Sequence, residues 1–232
     1  MTRKLVLFDI DGTLLSTDGV ARRAIHGALA DEFGTAGPPD GVRFDGKTDP
    51  QIIRELLIAV GHAGAEDEVR IAAVCRRYVT LLEAALADSP DATRLLPGVT
   101  HLLDELERRS DVVLGLLTGN VVDGARLKLR AAGLAFDRFR VGAFGSDAPV
   151  RSHLPPIAAL RAAAVMGRTP AGAEIVIVGD TPNDMTCGAD VGARAIGVAT
   201  GHYEVDELIA AGGHAAFADF TDPHPVLDAI LA

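Results

Sequence analysis

The sequence of 232 residues contains few of the residues that mark several common protein classes. It has no tryptophan, aromatic residues make up only 4%, and its two cysteines, Cys75 and Cys187, lie far apart. The cysteines show neither metal-ligand spacing nor a disulfide framework, which is consistent with a reducing compartment. Hydrophobic residues nevertheless amount to 48%, so the core must be built mainly from alanine and aliphatic side chains.

Positive charge and long apolar runs are also scarce. Lysine and arginine number 22 against 32 aspartates and glutamates, which gives a net charge of −10. This charge disfavours nucleic acids and anionic membranes as partners. No apolar run approaches the roughly 18 residues of a membrane span, and the N-terminus leads into a strand rather than a signal peptide. We therefore expect a cytoplasmic protein, either a monomer or a homodimer.

The order of the predicted elements indicates an α/β fold with an inserted helical block. The apolar run Leu5–Phe8 is typical of a strand that is buried on both faces of a parallel sheet. Three helical patterns follow without a strand signal, at about 19–33, 49–60 and 66–87, and Asp18 and Asp49 are predicted to cap the first two. From Pro97 onwards strands and helices alternate, which predicts a parallel sheet with helices on both faces.

Polar groups follow three of the predicted buried strands: Asp9 and Asp11, then Thr118-Gly119-Asn120, and finally Asp180 to Asp184. Because ligands of open α/β sheets bind outside the carboxyl ends of the strands, we expect these groups to converge. Two neighbouring carboxylates are stable when desolvated only with a cation or a shared proton. Oxygen ligands of this kind favour Mg²⁺.

Three motifs carry a resemblance to a known family: Asp9-Ile10-Asp11-Gly12-Thr13-Leu14, Leu117-Thr118-Gly119-Asn120 and Gly179-Asp180-Thr181-Pro182-Asn183-Asp184. With them the whole chain resembles the haloacid dehalogenase superfamily of phosphohydrolases, and the helical insertion is similar to the C1 cap of phosphoglycolate phosphatase-like members. The resemblance implies a Rossmann-like parallel-sheet core, residues 1–15 and 93–232, and an all-helical cap domain, residues 16–92. It also implies a Mg²⁺-dependent phosphatase that acts on a small phosphorylated metabolite, phosphoglycolate- or sugar-phosphate-like, through an aspartyl-phosphate.

The resemblance also suggests roles for individual residues. Asp9 is predicted to be the nucleophile, and Asp11 to be the general acid and base. The phosphoryl oxygens are expected to be bound by the segment Thr118, Gly119 and Asn120.

The metal is expected to be held by Asp9, by Asp180 and, through its backbone carbonyl, by Asp11. Asp184 is expected to act from behind these ligands by orienting the basic residue or a metal-bound water.

One expected residue departs from the usual pattern of the family, which offers a lysine between the second and third motifs. Here the candidate is Arg151, whose planar guanidinium suits phosphate and could serve in catalysis and phosphate binding. Arg161 and His153 are the rivals for this position. In the cap, the loop residues Gly46, Lys47 and Thr48 are candidates for substrate specificity.

Three other activities remain possible from the sequence. A phosphomutase of the β-phosphoglucomutase type would share all the core motifs. A phosphonoacetaldehyde hydrolase-like enzyme would use Lys47 for a Schiff base, and a non-catalytic domain would only accept a phosphoryl group. Dehalogenation is disfavoured, because such relatives lack the acid at the position of Asp11.

Overall fold

The structure is a computed structural model that describes residues 3–232. It contains the strands β1 (Lys4–Phe8), β2 (Leu15–Ser16), β3 (Arg94–Leu95), β4 (Val112–Thr118), β5 (Val141–Phe144), β6 (Ile175–Gly179), β7 (Arg194–Val198) and β8 (Ala215–Phe217). Six of them form one parallel sheet in the order β5-β4-β1-β6-β7-β8. When only these six are counted along the chain, the order is 3-2-1-4-5-6, which is that of Rossmann sheets.

The α-helices of the described chain are α1 (Val20–Phe33), α2 (Asp49–Ala59), α3 (Glu68–Asp88), α4 (Val99–Glu107), α5 (Val122–Ala131), α6 (Leu154–Met166), α7 (Pro182–Thr186), α8 (Val205–Ala210) and α9 (Pro223–Leu231). The longest, α3, has 21 residues and carries charges along its length. Between residues 3 and 232 no helix combines the length with the apolar character needed to span a bilayer.

The central strand β1 is buried because helices cover both faces of the sheet. Val6 and Phe8 pack into an apolar cluster with residues of α4, α5 and α9. Leu5 and Leu7 point to the opposite face and pack against α6. Successive side chains of a strand alternate between faces, so a run of four apolar residues is what a strand between two helical layers requires.

The helices α1, α2 and α3 form a cap with an apolar cluster of its own, in which α1 packs along α3. The predicted fold class, a parallel-sheet core with an inserted helical cap, is confirmed. Two segments of chain join cap and core, and they form the antiparallel pair β2–β3, with Leu15 opposite Leu95. We propose residues 16–92 as the cap domain, because both boundaries fall at or beside this pair.

Both predicted helix caps in this region are wrong. The residue that precedes α1 is Gly19, and the carboxylate of Asp18 instead pairs with Arg94 at 2.7 Å. Helix α2 is capped by Thr48, whose hydroxyl oxygen accepts a hydrogen bond from the backbone N–H of Gln51. Threonine and aspartate are both good caps, and a contact with the core, described below, takes up the side chain of Asp49.

Candidate active site

The three motifs converge at one edge of the sheet, as the parallel order requires. The strands β4, β1 and β6 are neighbours, and at their carboxyl ends lie Thr118, Asp9 and Asp180. Between this edge and the cap is a cavity of about 350 Å³ that both parts of the molecule line. This volume is at the small end of the range of ligand pockets.

A cluster of buried carboxylates lies at the core end of the cavity. Asp9, Asp180 and Asp184 each bring one oxygen to within 4.8 Å of the others. The buried guanidinium of Arg151 lies 3.2 Å from Asp9 Oδ2 and also contacts Asp184. It donates a further hydrogen bond of 3.2 Å to the backbone carbonyl of Leu117, which fixes its position at the end of β4.

The charges in this cluster are unbalanced. Burial raises the pKa of Asp9 to about 6, although Arg151 opposes the shift. Burial, together with the charges of Asp184 and Asp9, raises the pKa of Asp180 well above its ordinary value. Three carboxylates and one guanidinium carry a net negative charge that a further cation would balance. A donor set made only of oxygens fits Mg²⁺.

Hydrogen bonds orient two of these carboxylates. Asp180 accepts a bond of 2.9 Å from the hydroxyl of Thr13. Asp184 Oδ2 accepts bonds from the backbone N–H of Thr181 at 3.1 Å and from its hydroxyl at 2.6 Å. The guanidinium of Arg151 contacts Oδ1 of Asp184, so both oxygens of this carboxylate have partners within the protein.

The turn after β1 brings the first motif against Asp180. Gly12 has a φ of 80°, and a Cβ atom there would lie 2.3 Å from Asp180 Oδ2. Only glycine therefore allows the turn and the carboxylate to lie this close together. The turn is held from the other side by Thr200, whose hydroxyl donates to the carbonyl of Gly12 at 2.5 Å.

The side chain of Asp11 lies outside the cluster and is held by the second motif. Its Oδ2 accepts hydrogen bonds from Asn120 Nδ2 at 2.7 Å and from Lys128 Nζ at 2.6 Å. Lys128 also donates to Asn120 Oδ1 at 2.5 Å. Thr118 Oγ1 accepts from the backbone and side-chain nitrogens of Asn120, at 3.3 and 2.8 Å, so these side chains form one network.

Sequence reasoning missed Lys128, which is only 3% exposed and lines the cavity. A signal was present in α5. Val121, Ala125 and Lys128 are spaced four and three residues apart, so the lysine falls on the inward apolar face of the helix. A buried lysine needs a partner, and here the partner is Asp11.

The basic candidates occupy different places. Arg161 is exposed and pairs with Asp147 at 2.7 Å, and His153 is exposed, whereas Arg151 reaches the cluster. Lys47 lines the cavity, but its ammonium group pairs with Glu55 of the cap at 2.5 Å.

The predicted specificity loop, Asp45 to Asp49, lies across the site and docks on the core. The carbonyl of Gly46 accepts a bond of 3.1 Å from Asn183, and the hydroxyl of Thr48 donates to the carbonyl of Pro149 at 2.6 Å. The backbone N–H of Asp49 donates to the carbonyl of Gly119 at 2.8 Å.

Two further contacts hold the loop close to the core. The carboxylate of Asp49 accepts a bond of 2.8 Å from the N–H of Val121. A Cβ atom on Gly119 would lie 1.9 Å from the carbonyl oxygen of Lys47, so glycine is required for this approach. The cap is therefore closed over the carboxylate cluster.

Comparisons with known proteins agree with this geometry. The probable phosphatase IndB of Dickeya dadantii is 30% identical over 212 residues, which cover 90% of this chain and 86% of the relative. A phosphoglycolate phosphatase of Pseudomonas putida is 27% identical over 209 residues, 86% of this chain and 70% of the relative. A hydrolase structure from Pseudomonas syringae has the same fold over 100% of both chains, with a TM-score of 0.71 and 21% identity.

The family model for haloacid dehalogenase-like hydrolases matches residues 3–192, which include all three motifs. The predicted resemblance and the prediction of an enzyme are thereby confirmed. The chain belongs to the haloacid dehalogenase-like hydrolase family.

Proposed function

We propose that this protein is a Mg²⁺-dependent phosphatase that transfers the phosphoryl group of a small phosphate monoester first to Asp9 and then to water. The observation that carries the proposal is the buried carboxylate cluster with Arg151, next to Asp11, in the cavity between core and cap. The relatives named as phosphatases support the same class of reaction.

In the first step, a carboxylate oxygen of Asp9 attacks phosphorus, and the bond from phosphorus to the leaving alkoxide breaks. Arg151, at 3.2 Å from Asp9, neutralises charge on the phosphoryl oxygens and keeps the attacking carboxylate in place. Thr118 can donate its hydroxyl proton to a phosphoryl oxygen, because the bonds that its oxygen accepts leave that proton free.

Asp11 gives a proton to the leaving alkoxide, and it later takes a proton from the water that attacks the aspartyl-phosphate. Asn120 and Lys128 hold its Oδ2, so the proton is exchanged at Oδ1. The products are inorganic phosphate, the alcohol and the original carboxylate of Asp9.

The residues present fit a divalent cation. Asp9, Asp180 and the backbone carbonyl of Asp11 would hold Mg²⁺, while Asp184 holds Arg151. When bound, the ion supplies positive charge that neutralises the phosphoryl group and the crowded carboxylates.

The cap gives the cavity its remaining walls. The docking of the loop Asp45–Asp49 excludes bulk water from the phosphoryl group, and this loop with the inner faces of α1 to α3 contacts the leaving group. A cavity of about 350 Å³ accommodates a small phosphorylated metabolite.

The test is release of inorganic phosphate by the purified chain from phosphoglycolate, sugar phosphates, nucleotides and pyrophosphate. We expect release from at least one small monoester with Mg²⁺, and none after chelation or in Asp9→Asn. The matched control is Asp137→Asn, which changes an exposed aspartate outside the cavity and should keep full activity.

Two results would contradict the proposal. Interconversion of glucose 1- and 6-phosphate without release of phosphate would indicate a mutase. A long-lived acyl-phosphate without turnover would indicate a phosphoryl acceptor.

A further inference from the structure

Next to Asp11, the cavity is lined by polar groups whose hydrogen-bonding capacity the proposed reaction does not fully use. Tyr78 on cap helix α3, Asp49 at the start of α2 and Lys128 on core helix α5 all line the cavity, and all are buried. They come from three different helices of both parts of the molecule. The question is what such a set of groups binds.

The hydroxyl of Tyr78 is the clearest indication of a ligand. The side chain is 0% exposed, and its oxygen has no hydrogen-bond partner among residues 3–232. A buried hydroxyl without a partner is costly, and where one persists it requires an explanation. The apolar neighbours of Tyr78 in the cap cluster could pack equally well against a phenylalanine ring.

The two charged residues also have free hydrogen-bonding capacity. Lys128 uses two of its three N–H donors, on Asp11 and Asn120. Asp49 accepts the Val121 N–H with Oδ2, and its Oδ1 has no partner in the described chain. Burial raises the pKa of Asp49 to about 6, and the positive charge of the nearby Lys128 opposes this shift.

The charges next to Asp11 favour a neutral ligand over an anion. The ammonium group of Lys128 is already paired with Asp11 at 2.6 Å, and its charge also acts on the nearby carboxylate of Asp49, so a substrate carboxylate would be a third negative charge. A hydroxyl group has one donor and two acceptor lone pairs, so it can donate to Asp49 and accept from both Tyr78 and Lys128, which satisfies all three.

The other cations that line the cavity already have partners. Arg22 donates to the carbonyl of Val42 at 3.3 Å and stacks on the ring of Phe44 at 4.2 Å. Lys47 is paired with Glu55. Lys47 is therefore neutralised, whereas the partners of Arg22 are uncharged, so the carboxylate ester in the experiment below tests whether Arg22 binds an anionic leaving group.

We infer that Tyr78, Asp49 and Lys128 form a second subsite that binds a hydroxyl group on the leaving alcohol, so that the substrate is the phosphate ester of a small polyol. This inference rests on the proposed function, since the phosphoryl group must occupy the cluster at Asp9. Tyr78 is then a specificity-determining residue.

The experiment compares three esters with the same three-carbon skeleton: glycerol 1-phosphate, propyl phosphate and 3-phosphonooxypropanoate. Steady-state kinetics are measured with Mg²⁺ for the unchanged protein, for Tyr78→Phe and for Tyr203→Phe. The last is the matched control, because Tyr203 is the only other tyrosine and its hydroxyl contacts Arg43 outside the cavity.

We expect glycerol 1-phosphate to be the best of the three. Tyr78→Phe should lower its kcat/KM roughly tenfold, mainly through KM, and leave propyl phosphate within about twofold. Tyr203→Phe should change neither. Equal losses for all three esters, no loss at all, or a preference for the carboxylate ester would each overturn the inference.

A binding measurement separates this inference from the proposed function. If no ester is hydrolysed, including p-nitrophenyl phosphate, the proposed function fails. Calorimetric titration of Asp9→Asn then decides about the subsite: tighter binding of glycerol 1-phosphate than of propyl phosphate supports it, and equal binding overturns it.

Discussion

The core side and the cap side of the cavity are built in different ways. On the core side, charged side chains at the ends of neighbouring strands are buried and hold one another, as Arg151 holds Asp9 and Asp184. On the cap side, the loop Asp45–Asp49 contacts the core mainly through hydrogen bonds to backbone groups of the core, at Pro149, Gly119 and Val121. The comparison teaches that ion pairs between buried side chains fix the carboxylate cluster within the core, while the cap closes over it mainly through single hydrogen bonds to the core backbone.

The largest effect is expected from replacing Asp9, the proposed nucleophile, on the core side of the cavity. Asp9→Asn replaces a carboxylate with an amide that cannot attack phosphorus, so kcat should fall by roughly three orders of magnitude or more. The melting temperature should not fall, because Arg151 keeps Asp184 as a partner. Phosphate release and thermal unfolding measure the two effects, and retained turnover would remove Asp9 from the mechanism.

The second prediction compares a buried ion pair of the core with a more exposed one of the cap. Arg151→Met leaves two buried carboxylates without their guanidinium and should cost about 3–5 kcal/mol of unfolding free energy. Lys47→Met breaks a pair whose side chains are 21% and 32% exposed, and should cost about 1 kcal/mol or less. Urea unfolding measures both, and similar losses would contradict the contrast.

The third prediction concerns metal and pH. The pKa of Asp9 is raised from 3.8 to about 6, so the metal-free native state binds a proton more tightly than the unfolded state. Between about pH 4 and pH 6 the contribution of Asp9 to the free energy of unfolding therefore falls as the pH rises. The stability lost in this range is not regained at higher pH. If Mg²⁺ binds the ionised carboxylates as proposed, it should raise the melting temperature more at pH 7 than at pH 5.

A matched variant isolates the contribution of this carboxylate. In Asp9→Asn, the loss of melting temperature between pH 5 and pH 7 in chelator should be smaller than in the unchanged protein. An equal loss would mean that other groups dominate the pH dependence.

The smallest effect is expected from the cap loop. Thr48→Val removes both the helix cap and the bond to Pro149, and should cost about 1 kcal/mol of unfolding free energy. KM should rise by about two- to fivefold while kcat changes less, because the core geometry is untouched. Thr80→Val, on the exposed face of α3, is the control. A larger change in kcat than in KM would show that the loop takes part in the chemistry.

The sequence contains enough information to predict the sheet and the convergence of the motifs. Apolar runs such as Leu5–Phe8 require burial on both faces, and a parallel sheet then brings the residues that follow its strands to one edge. The placement of Asp9, Thr118 and Asp180 follows from this rule alone. No knowledge of side-chain contacts is needed.

The rest depends on contacts between distant segments. Thr48 and Asp49 are both good caps, and the choice between them is made by the N–H of Val121, which is 72 residues away from Asp49 in the sequence. Tyr78 fits the apolar face of α3 like any core residue, and only the structure reveals that it lines the cavity and that its buried hydroxyl has no partner in residues 3–232.

The pairing of β2 with β3 has a mechanical consequence. Since the two connections between cap and core are hydrogen-bonded to each other, we expect any opening of the cap to bend both connections together rather than either one separately. Leu15 and Ser16 of this ribbon also form part of the cavity wall. We therefore expect a molecule bound in the cavity to lie beside the ribbon that such an opening would bend, so that its release and the movement of the cap would influence each other.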